Sequence, residues 1–144
     1  AAIDAPVDLV KPSANELRGI AGRDLEGEAD YVAAARELLA AGSCRAIAVS
    51  LGAAGALLVE RNRPAIALRA PAVRVVSTVG AGDSMVAAIA IGLTRGDSLV
   101  DAARLGIAAG TAAVITAGTG LCRCADVEAL LPRVTAAPIA DDAF

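Results

Sequence analysis

Histidine and tryptophan are absent from this 144-residue chain, and its aromatic side chains come down to Tyr31 and Phe144. A core must therefore be built from Ala, Val, Leu and Ile, and no aromatic platform exists on which nucleobases could stack. Positive charge is also short. Thirteen Lys and Arg stand against sixteen Asp and Glu, a net charge of −3 with the signs interspersed. That excludes a nucleic-acid partner, which asks for a basic face. Cys44, Cys122 and Cys124 are too few for a disulfide framework. Cys122-Arg123-Cys124 has the wrong spacing for a zinc knuckle, and no histidine can complete one. Free thiols in a reducing cytoplasm are the simpler reading. Long apolar runs are broken by Gly, Ser and charges, so no membrane span is expected. The opening Ala1-Ala2-Ile3-Asp4 is not expected to be a signal peptide, nor, lacking Met, a native start. Two nucleotide motifs are missing as well. There is no GxxxxGK[ST], and Gly80-Ala81-Gly82 does not complete GxGxxG, which disfavours a P-loop ATPase or a dinucleotide dehydrogenase.

What is present is apolar: 56% of the residues are hydrophobic, ample for a core, and the length suits one domain or part of one. The chain is organised around Ser77-Thr78-Val79-Gly80-Ala81-Gly82-Asp83-Ser84-Met85-Val86-Ala87-Ala88-Ile89-Ala90. The β-branched run Val73 to Val79 predicts a strand, the two glycines a tight turn, and the run from Ser84 a buried helix. Such a turn brings bare backbone N–H groups to a helix N-terminus, a ready anion site. A carboxylate beside a bound anion would be repelled, so Asp83 needs a reason to be there. Base catalysis supplies one: Asp83 takes a proton from a hydroxyl while the N–H groups hold a phosphoryl group.

Taken in order, Val7 to Lys11 reads as a short strand ended by Pro12. Ser13-Ala14-Asn15-Glu16 has capping-box spacing, with Ser13 as N-cap and Glu16 reaching back. Gly19 to Gly27 reads as a charged loop, 30–41 as a helix with Gly42 just past its end, and 46–51 as a buried strand. A strand, helix, strand succession with buried strands predicts right-handed crossovers and a parallel sheet. Ser50 to Gly55 suits either the close approach of a ligand or a plain hairpin turn. Residues 56–60 and 65–68 flank Arg61-Asn62-Arg63-Pro64 as a second hairpin. The helix 82–95 reads as buried on most sides. Ser98 with Asp101 starts another helix, 99–116, whose interior Gly106 and Gly110 imply close packing or ligand approach. A final helix starts near Asp126 and is interrupted by Pro132, and a loose tail is expected beyond Ala136.

The signature run resembles that of the PfkB (ribokinase-like) carbohydrate kinases, whose Gly-Ala-Gly-Asp forms an anion hole with a catalytic base. Leu9-Val10-Lys11-Pro12, Ser50 to Leu57, Ala108 to Ala113 and Gly118-Thr119-Gly120-Leu121-Cys122 follow the family's order and come near its spacing. Within the family the likeness is to the minor bacterial 6-phosphofructokinases. The resemblance implies an α/β fold: the C-terminal part of a ribokinase-like three-layer α/β/α sandwich with a mostly parallel sheet. Residues 1–136 would be the nucleotide-binding portion, with the N-terminal half absent and 137–144 a tail. It implies ATP-dependent phosphorylation of a sugar phosphate, fructose 6-phosphate to fructose 1,6-bisphosphate, in carbohydrate metabolism. Asp83 would be the base and Gly80, Ala81 and Gly82 the anion hole. Lys11, Ser13, Ser50, Gly52, Gly55, Val75, Ile107 and Thr111 would lie along the nucleotide. Glu16 would serve hydrated Mg²⁺. Ser77, Val79, Ala113, Thr116, Gly118 and Gly120 would hold a monovalent cation, K⁺, largely through backbone oxygens. Three positions depart from the family: Ser13 stands for an Asn, Thr116 for an amide and Gly120 for a larger residue. The full-length form would be a homodimer. Open alternatives are another sugar kinase of the family (1-phosphofructokinase, tagatose-6-phosphate kinase or ribokinase) and a non-catalytic nucleotide-binding fragment.

Overall fold

The computed structural model describes residues 7–42, 44–118 and 120–140. The element order is β1 (Val7–Val10), α1 (Ala14–Ala21), α2 (Gly27–Ala41), β2 (Cys44–Ser50), β3 (Ala56–Glu60), β4 (Ile66–Arg69), α3 (Ala81–Thr94), α4 (Leu99–Val114), α5 (Cys124–Leu130) and β5 (Thr135–Pro138), with 3₁₀ turns at Gly52–Ala54 and Leu131–Arg133. The strands form one sheet in the order β1-β2-β3-β4-β5. The α/β class expected from the sequence is found. β1 and β2 are parallel, with Leu9 opposite Ala46, as the helical crossover between them requires. β2 and β3 are antiparallel, with Ser50 opposite Ala56, so the segment between them is a hairpin. No helix among the described residues is long and apolar enough to cross a membrane.

The residues divide into two compact units, 7–52 with 56–67 and 137–140, and 53–55 with 68–136. In the first, Leu17, Tyr31, Val32, Ala35 and Leu39 from α1 and α2 pack on Ile47, Val49, Leu57 and Val59 of β2 and β3. Each of these strands contributes alternate residues, the period-2 pattern of a sheet face covered by helices. With almost no aromatics, the core fills with Leu, Val, Ile and Ala as composition requires. Arg36 donates to the Glu60 and Arg63 carbonyls, tying α2 to the loop after β3. In the second unit α3 and α4 pack closely together, and α5 lies on α4.

Four local expectations differ. Gly19 lies inside α1 instead of a loop, because the capping box carries the helix on to Ala21. β5 takes in Ala137 and Pro138, the start of the expected tail, and the Ile139 N–H donates to the Ala65 carbonyl at 2.8 Å. Residues 141–144, the rest of that tail, lie outside the described residues, as do 1–6 and Thr119. The run 73–79 is not a strand. A strand needs a neighbouring strand to take its N–H and C=O groups, whatever its propensity, and this run is in none of the sheet's strands. Lastly, α3 buries only one side: Met85, Ala88, Ile89 and Gly92 are covered, while Val86, Ala87, Ala90 and Ile91 are exposed.

Candidate active site

The turn before α3 is set by Gly80, whose φ of 79° lies in the left-handed region that a side chain disfavours. Its carbonyl accepts the first helical bond, from the Ser84 N–H at 2.9 Å, and no side chain caps the helix. The N–H groups of Ala81, Gly82 and Asp83 therefore have no partner within α3. Only Ala81 reaches back, 3.5 Å from the Thr78 carbonyl. The Gly82 and Asp83 N–H groups stand at the positive end of the helix dipole, where an anion is favoured. Asp83 is exposed at the third helical position.

The position of this turn depends on α4. A Cβ on Gly110 would lie 3.2 Å from the Ala81 carbonyl oxygen, so the glycine lets the first turn of α3 sit against α4. A Cβ on Gly106 would come within 2.6 Å of Ile89 Cγ1 and 3.0 Å of the Met85 carbonyl. Of the two readings open for these glycines, close packing is the one found. At the C-terminal end of α4 the Val114 carbonyl accepts both the Val76 N–H at 2.7 Å and the Ser77 N–H at 3.1 Å. Helix-end carbonyls lack intrahelical partners, and here one of them pins the segment leading into Gly80. Sequence reasoning passed over Val114 because a backbone acceptor leaves no mark on residue identity.

The pinning brings Ser77 beside the Ala113–Thr116 end of α4. There the Ala113 carbonyl accepts the Thr116 N–H at 3.2 Å, and the Thr116 hydroxyl donates to Ala112 at 3.1 Å. A Cβ on Gly120 would meet Thr116 Cγ2 at 2.6 Å, so the small residue is what fits beside this threonine. Gly118 adopts φ 67°. This backbone lies at the negative end of the α4 dipole, which favours a cation. Val79 is exposed in the same segment, and its N–H donates to Ser77 Oγ at 3.2 Å. Ile107 and Thr111 are buried one turn apart on α4, and the Thr111 hydroxyl donates to the Ile107 carbonyl at 2.7 Å. Val75 is exposed.

A second group of the expected residues gathers in the other unit. Ser13 bridges to Ser50 in parallel fashion, and the Ser50 N–H donates to the Pro12 carbonyl at 2.9 Å. Lys11 Nζ lies 3.4 Å from Ser50 Oγ. The capping box is complete: the Ser13 N–H donates to Glu16 Oε2 at 2.6 Å and the Glu16 N–H to Ser13 Oγ at 3.2 Å. The Ser13 N–H, then the Ser13 hydroxyl, and last the charge of Lys11 hold the Glu16 carboxyl below the ordinary glutamate range. Lys11 and Glu16 line an open groove of about 500 Å³ with Val10, Pro12, Gly19 and Ile20. An ammonium and an ionised carboxylate on one groove suit a phosphate chain and its hydrated metal. Gly52 is exposed with φ 61°. Gly55 has a packing cause: a Cβ there would fall 2.0 Å from the Leu68 carbonyl oxygen.

Comparison with known proteins gives a consistent picture. The family described as "pfkB family carbohydrate kinase" matches residues 2–125. The ATP-dependent 6-phosphofructokinase isozyme 2 of Mycobacterium tuberculosis is 47% identical over 126 residues, covering 88% of this chain and 37% of that protein. The 1-phosphofructokinase of Rhodobacter capsulatus is 47% identical over 88 residues, covering 61% of this chain and 27% of that protein. Among solved structures, phosphofructokinase-2 from Escherichia coli in complex with potassium superposes with a TM-score of 0.84 at 39% identity, over 90% of this chain and 41% of that one. The chain thus spans about two fifths or less of the length of each of these relatives.

Proposed function

Since the chain belongs to the pfkB family of carbohydrate kinases, we propose that it carries the nucleotide-binding and catalytic portion of an ATP-dependent kinase. The acceptor is a sugar phosphate, fructose 6-phosphate first, giving fructose 1,6-bisphosphate. The observation that carries this reading is the uncapped N-terminus of α3 with exposed Asp83 at its third position. Asp83 accepts the proton of the sugar hydroxyl as that oxygen attacks the terminal phosphorus of ATP. The bond from that phosphorus to the leaving ADP oxygen breaks, and the N–H groups of Ala81, Gly82 and Asp83 face the charge on the transferring group. Lys11, Ser13 and Ser50 bind the nucleotide phosphates. Gly52 and Gly55 allow the loop to run along the nucleotide, and Val75, Ile107 and Thr111 border its base and ribose. Glu16 orients waters of Mg²⁺, which when bound neutralises phosphate charge. The oxygens of Ser77, Val79, Ala113, Thr116, Gly118 and Gly120 hold K⁺, a role supported by the potassium complex of the Escherichia coli relative. The full-length form is proposed to be a homodimer.

The likeness to a 1-phosphofructokinase favours a second acceptor, fructose 1-phosphate, with the same chemistry at Asp83. Calorimetric titration of the chain with ATP, Mg²⁺ and K⁺ tests the nucleotide reading. Saturable binding that weakens in Gly82→Leu is expected, and its absence from a folded chain refutes the reading. In a protein competent for turnover, Asp83→Asn is expected to cost roughly 10²–10⁴ in kcat with little change in nucleotide affinity. A near-normal kcat would remove Asp83 as the base.

A further inference from the structure

The three cysteines of this chain differ in their surroundings. Cys44 opens β2 and packs, partly buried, against the core of the first unit. Cys122 and Cys124 stand outside the buried core, on the approach to α5, with Cys122 half-buried and Cys124 exposed. Their neighbours Leu121, Arg123 and Ala125 are exposed as well, so small solutes reach this stretch. Packing accounts for Cys44. It does not account for two thiols one residue apart at the surface.

The backbone between them is well defined. Arg123 is the residue before α5 and lies in the extended region, at φ −89° and ψ 137°. Its carbonyl accepts the Asp126 N–H at 3.0 Å and the Val127 N–H at 3.1 Å, which holds the peptide that joins it to Cys124. Across an extended residue the flanking Cα atoms are about 6–7 Å apart, and the flanking side chains leave on the same side. Disulfides span Cα separations of about 4.4–6.8 Å, so a small adjustment at Arg123 lets the two sulfurs meet. We propose that Cys122-Arg123-Cys124 is a reversible oxidation site, a dithiol that hydrogen peroxide converts to an intramolecular disulfide. The exposed Cys124 sulfur attacks the peroxide and the O–O bond breaks. One oxygen stays on that sulfur as a sulfenic acid and the other leaves as water. The Cys122 sulfur then displaces the sulfenic oxygen as a second water, closing the S–S bond. Two electrons pass from the thiols to the peroxide, and the two thiol hydrogens end in the two waters. A ring closed over one intervening residue is strained, and strained disulfides are the readily reduced ones, so a thiol reductant restores the pair. This chemistry is independent of the kinase reading.

The test exposes the reduced, desalted chain to hydrogen peroxide and follows it by intact mass and non-reducing peptide mapping. Cys122 and Cys124 are expected to disappear together, at least about tenfold faster than Cys44, with loss of two hydrogens and no added oxygen. Trypsin cleaves after Arg104, Arg123 and Arg133, so residues 105–123 should stay joined to 124–133 until dithiothreitol is added. Cys122→Ser should abolish that link and leave Cys124 gaining oxygen, whereas Cys44→Ser should leave the link as it is. A bond from Cys44 to either cysteine, or a disulfide between two chains, overturns the proposal. So does a parent chain in which Cys124 gains oxygen while Cys122 stays reduced, or in which the pair reacts no faster than Cys44.

Discussion

Replacing either interior glycine of α4 by alanine adds the same methyl group, yet the two substitutions are expected to move stability in opposite directions. Alanine in a helix interior gains up to about 1 kcal/mol over glycine. At Gly110 the methyl would sit 3.2 Å from the Ala81 carbonyl oxygen and 3.7 Å from Met85 Cβ. A shift of a few tenths of an ångström relieves that, so Gly110→Ala should be neutral or gain up to about 1 kcal/mol. At Gly106 it would lie 2.6 Å from Ile89 Cγ1, about 1 Å inside a normal carbon contact. Ile89 is buried and β-branched, so it is locked in one rotamer, and the Met85 carbonyl blocks the other way at 3.0 Å. The helices must part, at an overpacking cost of about 1–3 kcal/mol. Net of propensity, Gly106→Ala should lose about 1 kcal/mol, some 2–4 °C in Tm. Urea unfolding of both variants, followed by circular dichroism, measures the gap. A Gly106→Ala chain as stable as Gly110→Ala would refute the packing argument. The two should also separate in binding, because Gly110 alone touches Ala81: calorimetry should find weaker ATP affinity in Gly110→Ala despite its stability.

At Gly55, φ of +99° and a Cβ 2.0 Å from the Leu68 carbonyl act together, so Gly55→Ala should lose more than about 3 kcal/mol or fail to fold. Soluble yield and thermal melting report this, and a melting point near that of the parent would contradict the close approach of Leu68. Ser13→Ala removes an N-cap and should cost about 1 kcal/mol, read as faster amide exchange in α1. The Glu16 carboxyl titrates lower in the folded chain than in the unfolded one. Its support for α1 is thus fully present above the ordinary glutamate range, about 4.3, and fades as pH falls through its lowered folded value. Glu16→Gln should flatten that acid dependence of α1 exchange, and an unchanged profile would remove Glu16 as its source.

Local signals carried much of this from residue order alone. Ser13 and Glu16 are three apart, and the capping box is there; Ser98 and Asp101 repeat the pattern at the start of α4. Gly80 and Gly82 before an apolar run marked the turn and the helix with free N–H groups. These features need only neighbours within one turn, so residue order is enough to specify them. The family was legible for a similar reason, through motifs whose order and spacing follow the family's. Features that depend on distant partners were settled only by packing. Whether 73–79 becomes a strand turns on a neighbouring strand, and whether α3 is covered turns on a second layer. The purpose of Gly55 and Gly110 is legible only once the Leu68 and Ala81 carbonyls lie against them. The Val114 carbonyl holds the approach to Asp83 through backbone alone, which any residue at that position could supply.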